Sequence, residues 1–281
     1  MKVAALQMVS GADVAANLNA ARALLEQAAA GGAELALLPE YFCFMGHHDR
    51  DKLALAEPDL AGNDAADAAD AAHAPIQQFL ASSARELGLW LVGGTLPLRT
   101  QDPERAANAT LVYGPQGQRA VRYDKIHLFR YDNGRERYDE AAVLRAGATP
   151  THFTLTDRSG QPWRVGLSVC YDLRFPELYR ALQADLLLVP AAFTHTTGQA
   201  HWEVLLRARA IENQAFVLAS AQGGRHENGR LTWGQSMAID PWGAVLQQQA
   251  TGPAVVLADL DPARLQAVRA QLPALQHRRL P

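Results

Sequence analysis

Cysteine is scarce in this sequence. Cys43 and Cys170 are its only two, and no C-x-x-C pair brings thiols together. That excludes a disulfide framework and a zinc knuckle, and makes a reducing compartment the simplest setting. Basic charge is not in surplus: 26 Lys and Arg stand against 29 Asp and Glu, a net charge of −3. A chain without excess cation has little with which to neutralise a phosphate backbone, which argues against nucleic-acid binding. Long apolar runs are missing as well. Gln7 breaks the opening run before it reaches the roughly 7–15 residues of a signal-peptide core. No stretch approaches the roughly 20 apolar residues that span a bilayer. The expectation is a soluble, cytoplasmic protein with no membrane or nucleic-acid partner.

What is present suits a packed core. Hydrophobic residues make up 48% and charged residues 20% of 281 residues, ordinary values for a globular chain. A chain of this length buries roughly three quarters of the surface its unfolded form exposes, so no covalent or metal staple is required. No internal repeat and no long polar linker divides it, and a single domain over residues 1–281 is expected.

Apolar segments at 2–8, 35–38 and 89–94 read as buried strands. Between them lie helix-forming runs at 17–30, closed by Gly31-Gly32, and at 75–87, opened by Pro75. This is the alternating rhythm of a layered α/β fold. Residues 109–113 and 120–123 flank Gly114-Pro115-Gln116-Gly117 and predict a hairpin. Residues 125–140 show little periodicity and read as a long ordered loop of the kind that carries function. Strands follow at 163–169, 185–189, 215–220, 236–239 and 254–257, with helices at 176–182, 201–213 and 262–271. Asp64, Asp67 and Asp70 recur every three residues in an Ala-Asp run. With no His or Glu to complete a hard-cation site, a solvated helix face or surface loop is the expectation.

Three stretches carry candidate chemistry. Leu37-Leu38-Pro39-Glu40 places a carboxylate at the C-terminal end of an apolar strand, where α/β folds bind ligands. A helix cap or a solvated acid would look the same. Tyr123-Asp124-Lys125-Ile126-His127 sets a cation between aromatic flanks, either a surface charge or a fixed partner for a developing oxyanion. Ser168-Val169-Cys170-Tyr171-Asp172 delivers a cysteine to a strand end among polar neighbours, where a nucleophile or a buried small hydrophobe could sit. Together the three have one meaning. A buried carboxylate takes the thiol proton and returns it to a leaving amine, while the cation steadies the oxyanion.

Other arrangements are weaker. His47-His48-Asp49 lacks further ligands at metal spacing. Gly166-Leu167-Ser168-Val169-Cys170 lacks the last glycine of a nucleophile elbow. A papain-type pair would use His127 or His152 as base to Cys170. Cys43, just after Glu40, is either a pocket wall or packing.

In this order the motifs resemble the nitrilase superfamily of carbon–nitrogen hydrolases, with its Glu-Lys-Cys triad. Carried over residue by residue, the triad is Glu40, Lys125 and Cys170. The resemblance covers essentially the whole chain: Leu6-Gln7, Lys125-Ile126-His127-Leu128-Phe129, the block 169–177, the segment 201–213, Trp233-Gly234-Gln235-Ser236 and Asp240-Pro241-Trp242-Gly243. It implies a second glutamate before the cysteine. The spacing to Leu144 and Gly147 assigns it to Glu140, with Glu136 as the competing choice.

The resemblance further implies a four-layer α-β-β-α sandwich that needs no metal or organic cofactor. It implies a homodimer or larger even homo-oligomer, with a C-terminal helix and tail at 262–281 used in dimerisation. Cys170 would attack an amide carbonyl, Glu40 would act as base, Lys125 and the Tyr171 backbone N–H would hold the oxyanion, and Glu140 would position Lys125. Tyr171 in place of Trp, and Leu173-Arg174 in place of paired arginines, are similar to amidases acting on the terminal amide of a small 2-oxo acid, with release of ammonia. Deaminated glutathione is the expected substrate; 2-oxoglutaramate and N-carbamoyl amino acids are the rivals, and an inactive scaffold of the same fold is the non-enzymatic alternative. Arg174 would grip the substrate carboxylate, or else pair with Glu177 to brace the turn.

Overall fold

The computed structural model describes residues 1–60 and 72–280. The expectation for Asp64, Asp67 and Asp70 lies outside the described residues.

Two mixed sheets form the centre. The first contains β1 (Lys2–Gln7), β2 (Leu35–Leu37), β3 (Trp90–Val92), β4 (Leu96–Arg99), β5 (Ala106–Tyr113), β6 (Arg119–Asp124), β9 (Leu144–Arg145) and β16 (Ala254–Asp259). Its order is β16-β1-β2-β3-β5-β4, with β6 and β9 also pairing to β5. The second runs β10 (His152–Thr156), β11 (Pro162–Leu167), β12 (Leu186–Ala191), β13 (Phe216–Ala221), β14 (Ser236–Ile239) and β15 (Val245–Gln249) in sequence order. In each sheet three central strands are parallel, β1-β2-β3 and β11-β12-β13.

Alternation within the strands makes the layers. Val3, Ala5, Leu35 and Leu37 pack with Val165, Leu167 and Leu188 of the facing sheet. Their neighbours Ala4, Leu6 and Ala36 point the other way, onto Leu24, Leu25 and Ala28 of α1 (Val14–Ala30) and Leu80 of α2 (Pro75–Leu87). The second sheet is covered by α3 (Pro176–Leu182) and α4 (His195–Asn213), which bury Tyr179, Trp202 and Leu206. The result is a helix-sheet-sheet-helix sandwich. Burial on both faces is why the parallel strands read as unbroken apolar runs. Ser220 Oγ donates to Leu6 O at 2.6 Å and stitches the two sheets together.

Several boundaries differ from the expected ones. Helix α1 starts earlier because Asp13 caps it, accepting from Ala16 N at 3.1 Å. Helix α4 begins at His195 rather than at 201, running through Gly198. A Cβ at Gly198 would meet Trp233 at 2.3 Å, so this glycine serves close packing and does not end the helix. Residues 125–140 are not a plain loop: β7 (Arg130–Asp132) and β8 (Arg137–Asp139) pair as a short hairpin. Three-residue charged strands have no apolar alternation to betray them. The last helix, α5 (Pro262–Gln271), has the expected bounds. None of the helices among the described residues is long and apolar enough to cross a membrane.

The parallel strands β2, β11 and β12 point their C-terminal ends at one region, and β6 ends beside it. One glycine keeps that region open. Gly94, at φ +49°, lies against the chain that presents Glu40, and a Cβ there would stand 2.0 Å from Pro39 O. Thr110 Oγ1 holds Gly94 O at 2.6 Å, and the next residue, Thr95, accepts from Tyr41 N at 3.0 Å. Gly94→Ala is expected to cost on the order of 1–3 kcal/mol, from strain at a left-handed position alone. The check is a lower denaturant midpoint at unchanged m-value.

Candidate active site

Strand β11 runs into a short 3₁₀ turn, Cys170–Arg174. Cys170 opens it at φ +48°, a strained conformation for a residue with a side chain. Asp172, fully buried, holds the turn. Its Oδ2 accepts from Val169 N at 2.8 Å and from Tyr123 hydroxyl at 2.6 Å. Its Oδ1 accepts from His127 N at 3.0 Å and lies 2.7 Å from His127 Nδ1. Tyr123 and His127 flank Lys125, so one carboxylate ties the cysteine turn to the strand end carrying the lysine. The His127 ring stacks on Phe175 with centroids 3.6 Å apart, closing the same connection from the far side.

Lys125 is 1% exposed. Its Nζ donates to Glu40 Oε1 at 2.9 Å and to Glu140 Oε1 and Oε2 at 3.0 and 2.7 Å. Glu40, equally buried, accepts also from Asn108 Nδ2 at 3.0 Å and from Ala192 N, just past β12, at 2.9 Å. Glu140 accepts from Tyr41 hydroxyl at 2.9 Å and Phe129 N at 2.7 Å. Every oxygen of both acids is thus engaged, as burial of charge requires.

The charges set the protonation states. Burial would drive the Lys125 ammonium down, but Glu140 and Glu40 outweigh it and hold its pKa above the ordinary lysine value. Burial would push Glu140 up, and the Lys125 charge and hydrogen bond overcome this and hold it below the usual carboxylate range. The Cys170 thiol is pushed well up, first by burial and then by the Glu40 carboxylate, which also hydrogen-bonds to it; Lys125 pulls the other way. One ammonium between two carboxylates already leaves a negative surplus, so a resting thiolate would add a second. The thiol keeps its proton until a base takes it.

Glu40, Glu140, Cys170 and Tyr171 line one small space with Phe129, Phe193 and Arg230. The other residues singled out in the sequence stand apart from it. Glu136 accepts from Thr196 Oγ1 at 3.0 Å and does not reach Lys125. Arg174 does not line the space and makes no pair with Glu177; its guanidinium lies over the Tyr171 and Phe193 rings, 3.3 Å from His201 Nδ1. His127 is committed to Asp172, and His152 sits on an exposed position of β10 beside Arg164. No papain-type pair assembles. Ser168 Oγ donates to Leu188 O and accepts from Tyr179, a core role. Cys43 is buried against Thr95 O. His47 faces Glu227 and Asp49 pairs with Lys52, and among the described residues no group of three or more His, Cys, Asp or Glu is arranged to hold a metal.

Sequence reasoning missed Asp172, Asn108, Tyr41 and Arg230. Asp172 lies two residues after Cys170, and an acid directly following an apolar strand is the available signal. Nothing local distinguished the other three.

Glu40→Gln removes a charge and a hydrogen bond that raise the Cys170 pKa, so that pKa falls. In a peptide-resolved alkylation series with iodoacetamide, the Cys170 curve is expected to move to lower pH than in the wild type, with Cys43 unreactive in both. A shift to higher pH would contradict the electrostatic account.

Comparison with known proteins follows the same outline. Residues 2–270 match the carbon-nitrogen hydrolase family. A deaminated glutathione amidase of Synechocystis sp. is 40% identical over 281 residues, spanning 98% of this chain and 97% of its own. The crystal structure of the C. elegans NitFhit protein aligns with TM-score 0.86 and 35% identity, over 99% of this chain and 65% of that longer one. An amidase from Nesterenkonia sp. AN1 aligns with TM-score 0.74 and 28% identity, over 97% of this chain and 98% of that one. That structure is a glutamate-to-glutamine variant showing Michael addition of acrylamide at the active-site cysteine. A match over nearly the whole length, in a chain whose buried lysine joins two acids beside a cysteine, has a plain meaning: this protein is a member of the carbon-nitrogen hydrolase family.

Proposed function

We propose that the protein hydrolyses the amide of deaminated glutathione through a thioester on Cys170. The observation that carries this reading is the Lys125 ammonium, bonded to both Glu40 and Glu140 beside a protonated thiol. The named amidase relatives, 40% identical over nearly the full chain in one case, support the choice of substrate.

Glu40 takes the thiol proton as Cys170 Sγ attacks the amide carbon, and the carbonyl electrons move onto oxygen. Lys125 Nζ and the Tyr171 N–H stabilise that oxyanion. Collapse re-forms the carbonyl and breaks the C–N bond, and the proton on Glu40 goes to the departing nitrogen. A water then gives a proton to Glu40 and adds to the thioester. The second collapse expels the sulfur, which recovers the proton. Glu140 keeps Lys125 charged and aimed throughout. In deaminated glutathione the scissile bond joins a 2-oxoglutaryl group to cysteinylglycine, so the amine that leaves is this dipeptide. Ammonia leaves only from an unsubstituted amide such as 2-oxoglutaramate.

Turnover of deaminated glutathione is measured by release of cysteinylglycine and compared with 2-oxoglutaramate and N-carbamoyl amino acids. A higher kcat/KM on either rival class overturns the substrate assignment. Cys170→Ala is expected to fold as the wild type and lose at least about a thousandfold in rate, with no acyl adduct by intact mass. Near wild-type turnover in that variant rules out the covalent route and leaves Cys170 a packing residue.

We also infer that the chain functions as a homodimer or larger even assembly. Val204 and Ile211 are exposed one above the other on α4, and Trp242, in the turn whose Gly243 packs on Ile211, extends the stripe. The tail beyond α5 supports a second contact, with Leu272 and Leu280 both exposed. Apolar residues grouped in this way mark an interface. Sedimentation is expected to give an even oligomer for the wild type and a smaller species for Ile211→Glu; a monomeric wild type refutes the association.

A further inference from the structure

Arg230 is the cation that lines the space beside Cys170, and it differs from the buried Lys125 behind the two acids in having no acid partner. Its Nη2 donates to Ala192 O at 3.0 Å, and its Nη1 lies 4.0 Å from Met45 Sδ, a weak acceptor. Its guanidinium lies over the Tyr138 ring, 5.2 Å from the centroid. Its Nε is buried with no hydrogen-bond partner, and among the described residues no carboxylate lies within ion-pair distance. A buried charged donor left unmatched is costly and calls for a ligand.

The space itself says where the ligand extends. Beside Cys170 the free volume is about 10 Å³, roughly the room of one water. Arg230 also lines an adjoining cavity of about 410 Å³, walled by Met45, Lys52, Arg137, Tyr138 and Asn228. Lys52 and Arg137 share that wall with Asp49, so the cavity carries a positive surplus. Little room is left at the cysteine beyond the reacting group itself, and Arg230 is the residue this space shares with the larger cavity.

We propose that Arg230, with the cavity it opens onto, binds a carboxylate of the substrate and aligns the amide on Cys170. This rests on the site being an amide hydrolase for 2-oxo acids, and it adds the residue that selects anionic amides. A planar guanidinium with no acid partner suits a carboxylate, which one of its edges can meet with two parallel hydrogen bonds. The carboxylate has two sources: the 2-oxo acid of the acyl half, or the glycyl end of the departing dipeptide.

Arg230→Gln and Arg230→Lys are compared with the wild type in two measurements. In steady-state hydrolysis, Arg230→Gln is expected to raise KM about tenfold or more with a far smaller change in kcat, and Arg230→Lys to recover part of the loss. A rise on deaminated glutathione alone assigns the carboxylate to the departing dipeptide. A rise on 2-oxoglutaramate as well assigns it to the 2-oxo acid. The second measurement is the rate of Cys170 alkylation by iodoacetate relative to neutral iodoacetamide, a ratio expected to fall in Arg230→Gln. Unchanged KM for both amides together with an unchanged ratio overturns the proposal, as does an equal loss toward iodoacetate and iodoacetamide, which marks a merely structural arginine. If the wild type hydrolyses neither amide, the substrate reading fails and the alkylation ratio alone decides the role of Arg230.

Discussion

The buried ammonium of Lys125 is the constraint around which the rest is arranged. A charge taken out of water at that depth survives only when its partners are charged, close and themselves fixed. Glu40 and Glu140 meet the first two conditions at 2.7–3.0 Å. The third is met by Asn108 and Ala192 N on Glu40, and by Tyr41 and Phe129 N on Glu140. Removing both acids would leave an uncompensated buried charge, whereas removing one leaves the ammonium a single charged partner. The same surplus of negative charge holds the Cys170 thiol well above its ordinary pKa, so it keeps its proton at rest.

The sandwich supplies these partners from distant places. Glu40 follows β2 of one sheet, while Ala192 follows β12 of the other, and a hydrogen bond joins them across the interface. Gln222, just past β13, extends the same seam by donating to Ser10 Oγ and to the Glu40 carbonyl. The site is therefore the place where the two sheets meet at their strand ends, and its geometry is as rigid as the packing between them. Asp172 adds the coupling along the second direction, fastening the cysteine turn to the Tyr123 hydroxyl and the His127 backbone on either side of Lys125.

Some of this was legible in the residues. An acid, a cation and a thiol at the ends of predicted strands already suggested acyl transfer, and the resemblance to a known family arranged them into one mechanism. Glu140 and Glu136 stand four positions apart, and spacing alone separated them. The physical difference is that Glu140 follows β8 and faces inward, whereas Glu136 sits in the hairpin turn and meets Thr196. Arg174 follows the cysteine closely in sequence, yet the 3₁₀ turn carries it behind two aromatic rings. Arg230, remote in sequence, lines the space instead.

Pattern and residue type alone determine the layered α/β architecture and the candidate nucleophile, base and cation, because strand burial and strand ends leave local signatures. They do not determine which side chains converge. Hydrogen bonds such as Asn108 to Glu40, or Arg230 to Ala192, join residues whose neighbours along the chain carry no trace of the pairing. Only the tertiary structure decides them, because desolvated charge is stabilised by whatever lies within hydrogen-bonding distance, and distance in space is set by the packing of the whole sandwich.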